Sequence, residues 1–485
     1  MKIVLINALA NKEFLLYSEV FQLELVNLGY LSAVLLRDGH EVEIIDQMLH
    51  RMADAEVVDR VERFRPEVVG LTITTANISK SLELSTAIKA RTGATIVCGG
   101  YYPTPFPEIV KHDEIDLAVL GEGENTLREI VDRLGRGEDL RGIAGTAWLD
   151  EGAVREGPKR ERISDLDSLP FPDRRFSRPD MMRVGFLSSN QAKDRSLPVV
   201  TSRGCNMSCG FCASPVMWHG VWHGRSPENV IEEIRELRNK LRVNFLFFQD
   251  EELNTDRDRA MTIYRRMREE KFGMKWTTQT SIHFMDIELA DAMIDCGLNT
   301  LYLGYESGAR EILDKMPKRY SLDKALMLNE HLQKRGVFTT GNFMLGFPWE
   351  SRETLKQTFA FVRKLNLDIS IVIYYRPQPK TTFADLVTRE GFFDPATFQE
   401  TNHNPFAPPM PTYHLTSKEV ERAAMTFMVS TYLRPTYWFR VLYRIIRQPV
   451  RLRAYWGFAS VVLSSTIRAL TWKYLRRSPA DSAAK

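Results

Sequence analysis

Cysteine is scarce in this chain, and most of it is in one place. Of five cysteines in 485 residues, three stand together in TSRGCNMSCGFCAS (201–214), as Cys205, Cys209 and Cys212. The other two, Cys98 and Cys296, are isolated in separate apolar segments and read as core or shell thiols. An odd, small number of cysteines argues against a disulfide framework and for free thiols or metal ligands. No secretory pattern is read at the start either, because the apolar run of MKIVLINALANKEF is short and resembles a first strand. An uncharged apolar stretch of about 18 residues is missing, so no spanning helix is expected. A net charge of only +3, with no basic pattern interleaved with aromatics, argues against nucleic acid as partner. Internal repeats and low-complexity tracts are absent. The balance of 44% hydrophobic and 26% charged residues is that of a cytoplasmic globular protein of about three domains.

What is present is an alternation of strand and helix patterns. KIVLINA (2–8), EVEIID (41–46), VVGLTITT (68–75), TIVCGG (95–100) and LAVLGEG (117–123) are nearly continuous Val, Ile and Leu, as strands buried on both faces must be. Helical patterns over 20–38, 52–64, 79–91 and 124–135 separate them, which predicts a doubly wound parallel α/β sheet for residues 1–140. Such sheets bind ligands outside the carboxyl ends of their strands. Thr74, Gly99, Gly100, Gly121 and Glu122 fall there, in ITTANIS, CGGYYPTPFPE and GEGENT. Residues 141–195 are irregular and marked by proline, as a linker would be. From 196 to 385 the alternation resumes with six strand–helix units, the pattern of a partial (β/α)6 barrel with its chemistry at the carboxyl strand ends. Residues 386–485 read as a helical, basic C-terminal region.

The three clustered thiols follow the first barrel strand. Structural zinc takes four ligands, often in paired Cys-x-x-Cys units, and no second pair exists. A cluster that only carries electrons also takes four thiolates. Three leave one metal position open for a bound molecule. The spacing Cys-x-x-x-Cys-x-x-Cys, with aromatic Phe211 before the last cysteine, closely resembles the radical S-adenosylmethionine family. The resemblance implies a [4Fe-4S] cluster ligated by Cys205, Cys209 and Cys212. Its open iron chelates S-adenosylmethionine, which one electron cleaves to methionine and a 5′-deoxyadenosyl radical. The electron comes from a reductase or flavodoxin-type donor. In FFQDEELNTD, Asp250 and Glu251 match the acidic segment after the second strand and would hold the cofactor's amino group. YLGYESG places Glu306 beside the cofactor, and MLGFPWES supplies Gly346, with Trp349 where a glycine is usual.

Residues 28–46, CGGYYPTPFPE and LGEGENTLREIVDRL resemble the cobalamin-binding domains that precede the barrel in part of that family. The Asp-x-His-x-x-Gly motif that supplies a histidine to cobalt in many cobalamin proteins is missing, since neither His40 nor His112 stands in it. The resemblance covers residues 1 to about 390 and implies cobalamin-dependent methylation of an unactivated carbon on an apolar small molecule such as a lipid, tetrapyrrole or natural product. Radical cyclisation or oxidative rearrangement without methyl transfer is the alternative within enzymes, and a non-catalytic corrinoid-binding protein is the alternative outside them. A methylthiotransferase acting on tRNA would need three further cysteines in the first domain. His219 and His223, four apart in SPVMWHGVWHGRS, would share a helix face, with interface packing the favoured role. Tyr305, Tyr374 and Tyr375 are candidates for substrate contact. Residues 435–477 mix aromatics, aliphatics and arginines near helical spacing, a pattern suited to peripheral membrane contact or to helices that cover the barrel.

Overall fold

The computed structural model describes residues 1–10, 21–22, 25–180, 182–184, 194–395, 407–449 and 451–460. Strand β1 (Lys2–Asn7) lies between β2 (Glu41–Asp46) and β3 (Val68–Thr72), with β4 (Thr95–Gly99) and β5 (Leu117–Val119) continuing the sheet, all in parallel. The order β2-β1-β3-β4-β5 puts the topological switch between β1 and β3, where the strand ends leave a crevice. Helices α1 (Val26–Arg37) and α4 (Glu124–Gly135) cover one face. Helices α2 (Asp54–Phe64) and α3 (Ile78–Arg91) cover the other. Every residue of β3 is buried, which is why its sequence lacks a polar alternation.

The expected linker departs from expectation. It contributes an antiparallel hairpin, β6 (Thr146–Asp150) and β7 (Ala153–Glu156), which joins the edge of the sheet through β5. The sheet therefore has seven strands of mixed direction and runs past residue 140. Outer strand β7 is largely exposed and charged, so it lacks the apolar run by which the other strands are recognised.

The second sheet has six parallel strands in sequential order: β8 (Ser196–Val199), β9 (Phe245–Phe248), β10 (Lys275–Ser281), β11 (Leu298–Glu306), β12 (Phe338–Leu345) and β13 (Ile369–Tyr374). The intervening helices α5 (Pro227–Leu241), α6 (Arg257–Glu269), α7 (Ile287–Asp295), α8 (Leu322–Lys334) and α9 (Arg352–Leu365) start by the same device. Ser226, Asp256, Asp286, Ser321 and Ser351 each accept a hydrogen bond from a backbone N–H three residues on. Each such cap contributes about 1 kcal/mol and fixes where a strand-end loop stops. The expected partial barrel is thus present, around a core that includes Trp276, Phe248 and Leu301.

Three further helices follow. After α10 (Thr382–Arg389), α11 (Ser417–Tyr432), α12 (Pro435–Arg447) and a helical segment at 451–460 pack on the barrel. Their anchor is buried Asp368, at the entry to β13, which accepts from Arg444, Arg451 and the Tyr455 hydroxyl. The tail therefore covers the amino ends of the last strands, opposite the end where barrel chemistry occurs. Residues 461–477 of the proposed membrane segment lie outside the described residues. Among the described residues no helix is long and apolar enough to cross a membrane.

Candidate functional site

The carboxyl ends of both sheets face each other. Between them lies a cavity of about 300 Å³, walled by Leu5, Gly70 and Val97 of the first sheet, by α1, and by Arg203, Trp218 and Glu251 of the barrel. Of the residues expected to line a corrin site, Thr74, Gly99, Gly100, Gly121 and Glu122 all border it. Gly100 has φ of +106°, and a Cβ there would sit 2.9 Å from the Ile73 carbonyl oxygen, so only glycine fits. Largely apolar walls reaching between helix and sheet suit the aromatic tail of a corrinoid. Among the described residues no histidine lines the cavity.

Arg203, just before the first cysteine, closes one side. Its guanidinium donates to Glu122 at 2.6 Å and Glu124 at 2.5 Å and lies 5.4 Å from the centre of the Tyr30 ring. All three carboxylate and guanidinium side chains are at most 10% exposed. Burial alone would raise the Glu122 carboxyl, but the His223 ring 3.6 Å away and the Arg203 charge outweigh it and hold it at about 2. A second buried pair, Arg225 with Glu233, reaches the Tyr30 hydroxyl at 3.3 Å. The domains are thus joined by buried charge as well as by apolar contact.

Cys205, Cys209 and Cys212 occupy the loop after β8. Burial pushes the Cys205 thiol up to about 11 and Cys209 to about 12, and raises Cys212 as well. Among the described residues no three His, Cys, Asp or Glu side chains converge on a single ion position. Three thiols spread along one loop suit separate corners of an iron–sulfur cluster and not one ion. Phe211 packs against Phe347 and Phe383, with ring centres 5.8 and 6.5 Å apart. A Cβ on Gly210 would lie 2.4 Å from the Phe383 ring, so the start of α10 sits directly on this loop.

Sequence reasoning missed Lys318. Its ammonium is buried, donates to Glu306 at 2.5 Å and lies 5.9 Å from the Phe211 ring centre. Its charge acts on all three cysteine thiols, lowering each against the effect of burial. Glu306 ends β11 in the left-handed region, φ of +61°, where the register with β12 shifts. Such backbone costs about 1–3 kcal/mol and clusters at functional sites. A lone loop lysine carries no periodicity, so only its placement reveals it.

The acidic segment after β9 is engaged by partners within the protein. Asp250 is fully buried and accepts from Thr201 N–H and both the Thr201 and Ser202 hydroxyls, so it fixes the backbone leading to the cluster loop. Glu251 accepts from Gly204 N–H at 3.1 Å, from Trp218 at 2.8 Å and from the Tyr101 hydroxyl of the first domain at 2.8 Å. Glu252 is buried and receives Thr280 and Ser281, while burial pushes its carboxyl up to about 7. Gly346 has φ of +87° and donates to Glu350, whose carboxyl burial raises to about 8.

Other expectations are corrected by packing. His219 ends a five-residue helix in the left-handed conformation and His223 pairs in a short strand with Arg203, so the two share no helix face. The loop that carries them does pack the domain interface, with Trp218 on Glu251. Tyr305 and Tyr375 are core residues stacked on Phe343 and Phe347, whereas Tyr374 is half-buried. Cys98 lies in the core of the first sheet and Cys296 packs against the barrel core, as expected.

Comparison with known proteins agrees with this geometry. Residues 20–131 match the B12 binding domain family and residues 199–362 the Radical SAM superfamily. An uncharacterised methyltransferase of Pyrococcus horikoshii is 29% identical over 443 residues, 89% of this chain and 94% of its own. The anaerobic magnesium-protoporphyrin IX monomethyl ester cyclase of Rubrivivax gelatinosus is 27% identical over 373 residues, 75% of this chain and 65% of its own. The fold is that of the radical S-adenosylmethionine methyltransferase TsrM of Kitasatospora setae, solved with cobalamin and a [4Fe-4S] cluster. Its TM-score is 0.68 at 19% identity, over 80% of this chain and 78% of that one. The chain thus carries a B12 binding domain ahead of a Radical SAM domain, the domain order of cobalamin-dependent radical S-adenosylmethionine enzymes.

Proposed function

We propose that the chain methylates an unactivated carbon of a small apolar molecule. The observation that carries this reading is the shared cavity: the residues expected to hold the corrin border it on the side of the first sheet, and Arg203, Trp218 and Glu251, which flank the cluster loop, border it on the side of the barrel. Residues 1–140, extended by the hairpin at Thr146–Glu156, would hold cobalamin, 196–385 the cluster and S-adenosylmethionine, and 141–195 would join them. When bound there, these groups supply a hydrogen-abstracting radical and a methyl donor.

The chain's own residues bind and orient. Cys205, Cys209 and Cys212 would ligate the cluster, with Phe211 packing the loop. Lys318 and Glu306 hold complementary charges for the carboxylate and ammonium of the cofactor's amino-acid end. Asp250 acts as a positioning residue for the loop, while Glu251 and Tyr101 hold the two domains in register. A neighbouring cavity of about 290 Å³, lined by Tyr101, Tyr102, Phe106, Val216, Met217 and Pro379, lies between the domains and suits an apolar substrate. The electron donor is of the reductase or flavodoxin type, and the chain meets a membrane peripherally through its tail.

Anaerobic purification with hydroxocobalamin tests the two-cofactor reading, with about four irons and one cobalt expected per chain. Iron without cobalt would remove methylation through cobalamin. The cyclase relative supports a second reading, ring closure without methyl transfer. Product mass separates the two, because methylation adds a carbon and ring closure adds none.

A further inference from the structure

The exposed apolar surface of this chain is concentrated in the tail. Of the sixteen large apolar side chains exposed among the described residues, ten fall between Met425 and Trp456. On α12 the inward side chains are Tyr437 and Val441, with Arg444 on Asp368. Trp438, Phe439, Leu442 and Ile446 lie on the opposite side at spacings of one, three and four residues and are 53–73% exposed. Leu433 at the end of α11 and Trp456 in the following segment extend the patch at 72% and 74% exposed. Monomeric proteins rarely leave so large a contiguous apolar face to water.

Charge identifies the occupant. No Asp or Glu stands between Glu421 and Asp481, a stretch with eleven Arg and Lys. Arg444 and Arg451 are used inward on Asp368, and Arg440 donates to the Leu367 carbonyl. Arg447 and Arg453 are exposed at the patch, and Arg447 lies over the Tyr443 ring, 5.3 Å from its centre. Exposed aromatic and aliphatic side chains in a stretch that carries arginines and no acidic residue match an anionic lipid surface, where aromatics sit at the headgroup level and arginines pair with phosphate. A second copy of this chain would bring the same cations against each other.

We infer that α11, α12 and residues 451–460 dock the chain flat on an anionic membrane surface, with the cofactor cavity facing away from the lipid. The orientation follows from the anchor at Asp368, at the amino ends of the strands. Strand β12, with eight residues, separates that end from the cluster loop by about 25 Å. This inference goes beyond the reaction proposed above and does not depend on it, because lipid binding is read on the chain without cofactors.

The test is co-sedimentation of the full chain with phosphatidylcholine vesicles, with and without one-third phosphatidylglycerol, beside sedimentation velocity without lipid. The expected result is binding to the anionic vesicles, weakened about tenfold or more by Phe439→Ser with Ile446→Ser. Separately, Arg447→Glu with Arg453→Glu removes the preference for anionic over neutral vesicles. All four side chains are exposed, and unchanged circular dichroism confirms that the variants fold. Fluorescence of Trp438 and Trp456 is quenched by brominated lipid. A monomer that binds neither vesicle overturns the inference. So does a dimer in buffer that Phe439→Ser with Ile446→Ser turns into a monomer, which gives the patch to a second copy.

Discussion

Replacing Arg203 by methionine tests how the two domains are held. Methionine keeps much of the side-chain volume and removes the cation, leaving Glu122 and Glu124 buried with no guanidinium between them. Breaking such a set by removing one partner costs about 3–5 kcal/mol. The Glu122 carboxyl gives an independent measure. It is held at about 2 instead of the usual 4.5, a depression worth about 3 kcal/mol at neutral pH, shared among His223, Arg203 and the Ile163 N–H. Because the folded value is depressed, this stability is complete above about pH 4.5 and is lost as pH falls toward about 2. The penalty of Arg203→Met is therefore expected near 3 kcal/mol at pH 7 and much smaller near pH 3. Urea unfolding of the cofactor-free chain at both pH values measures it. A loss below about 1 kcal/mol at pH 7, or one unchanged by pH, would refute the account of the cluster as a buried charge clamp.

Four further outcomes follow from the site. Cys209→Ala should lower bound iron well below the about four per chain expected of the parent while leaving cobalt retained, read by metal analysis of the same preparation. Lys318→Met should weaken S-adenosylmethionine binding at least about tenfold and destabilise the fold; adding Glu306→Gln should restore stability and not affinity, which calorimetry and thermal unfolding separate. Gly100→Ala should reduce cobalamin retention about tenfold, since its Cβ meets the Ile73 carbonyl at positive φ; equilibrium dialysis against cobalamin reads the change. Glu350 is raised to about 8 by burial, so its effect on stability is harmless below about pH 4.5 and grows worse as pH rises toward 8. Glu350→Gln should therefore raise the melting midpoint more at pH 8 than at pH 5.

The strands were legible because burial on both faces leaves a run of Val, Ile and Leu with no competing reading, as in VVGLT. The thiol spacing was legible because the chemistry is local in sequence. What could not be read depends on partners far along the chain. Arg203 meets carboxylates some eighty residues earlier, and Lys318 reaches the cysteine loop from beyond β11. Asp250 and Glu251 are adjacent in sequence, yet one is consumed under the loop and the other faces the first domain. A motif gives their residue type but not their direction. The hairpin was hidden for a different reason: an exposed edge strand needs no apolar face.

That hairpin has a consequence for synthesis. The last strand of the first sheet, ending at residue 156, is made before any strand of the barrel. Without β6 and β7, the short strand β5 would present a bare row of amide and carbonyl groups to other nascent chains. The hairpin covers that row and ends it in a strand bearing Arg155 and Glu156, charges that discourage a further strand from adding. The amino-terminal third can therefore hold its sheet with a protected edge while the barrel that will share its cavity is still being translated.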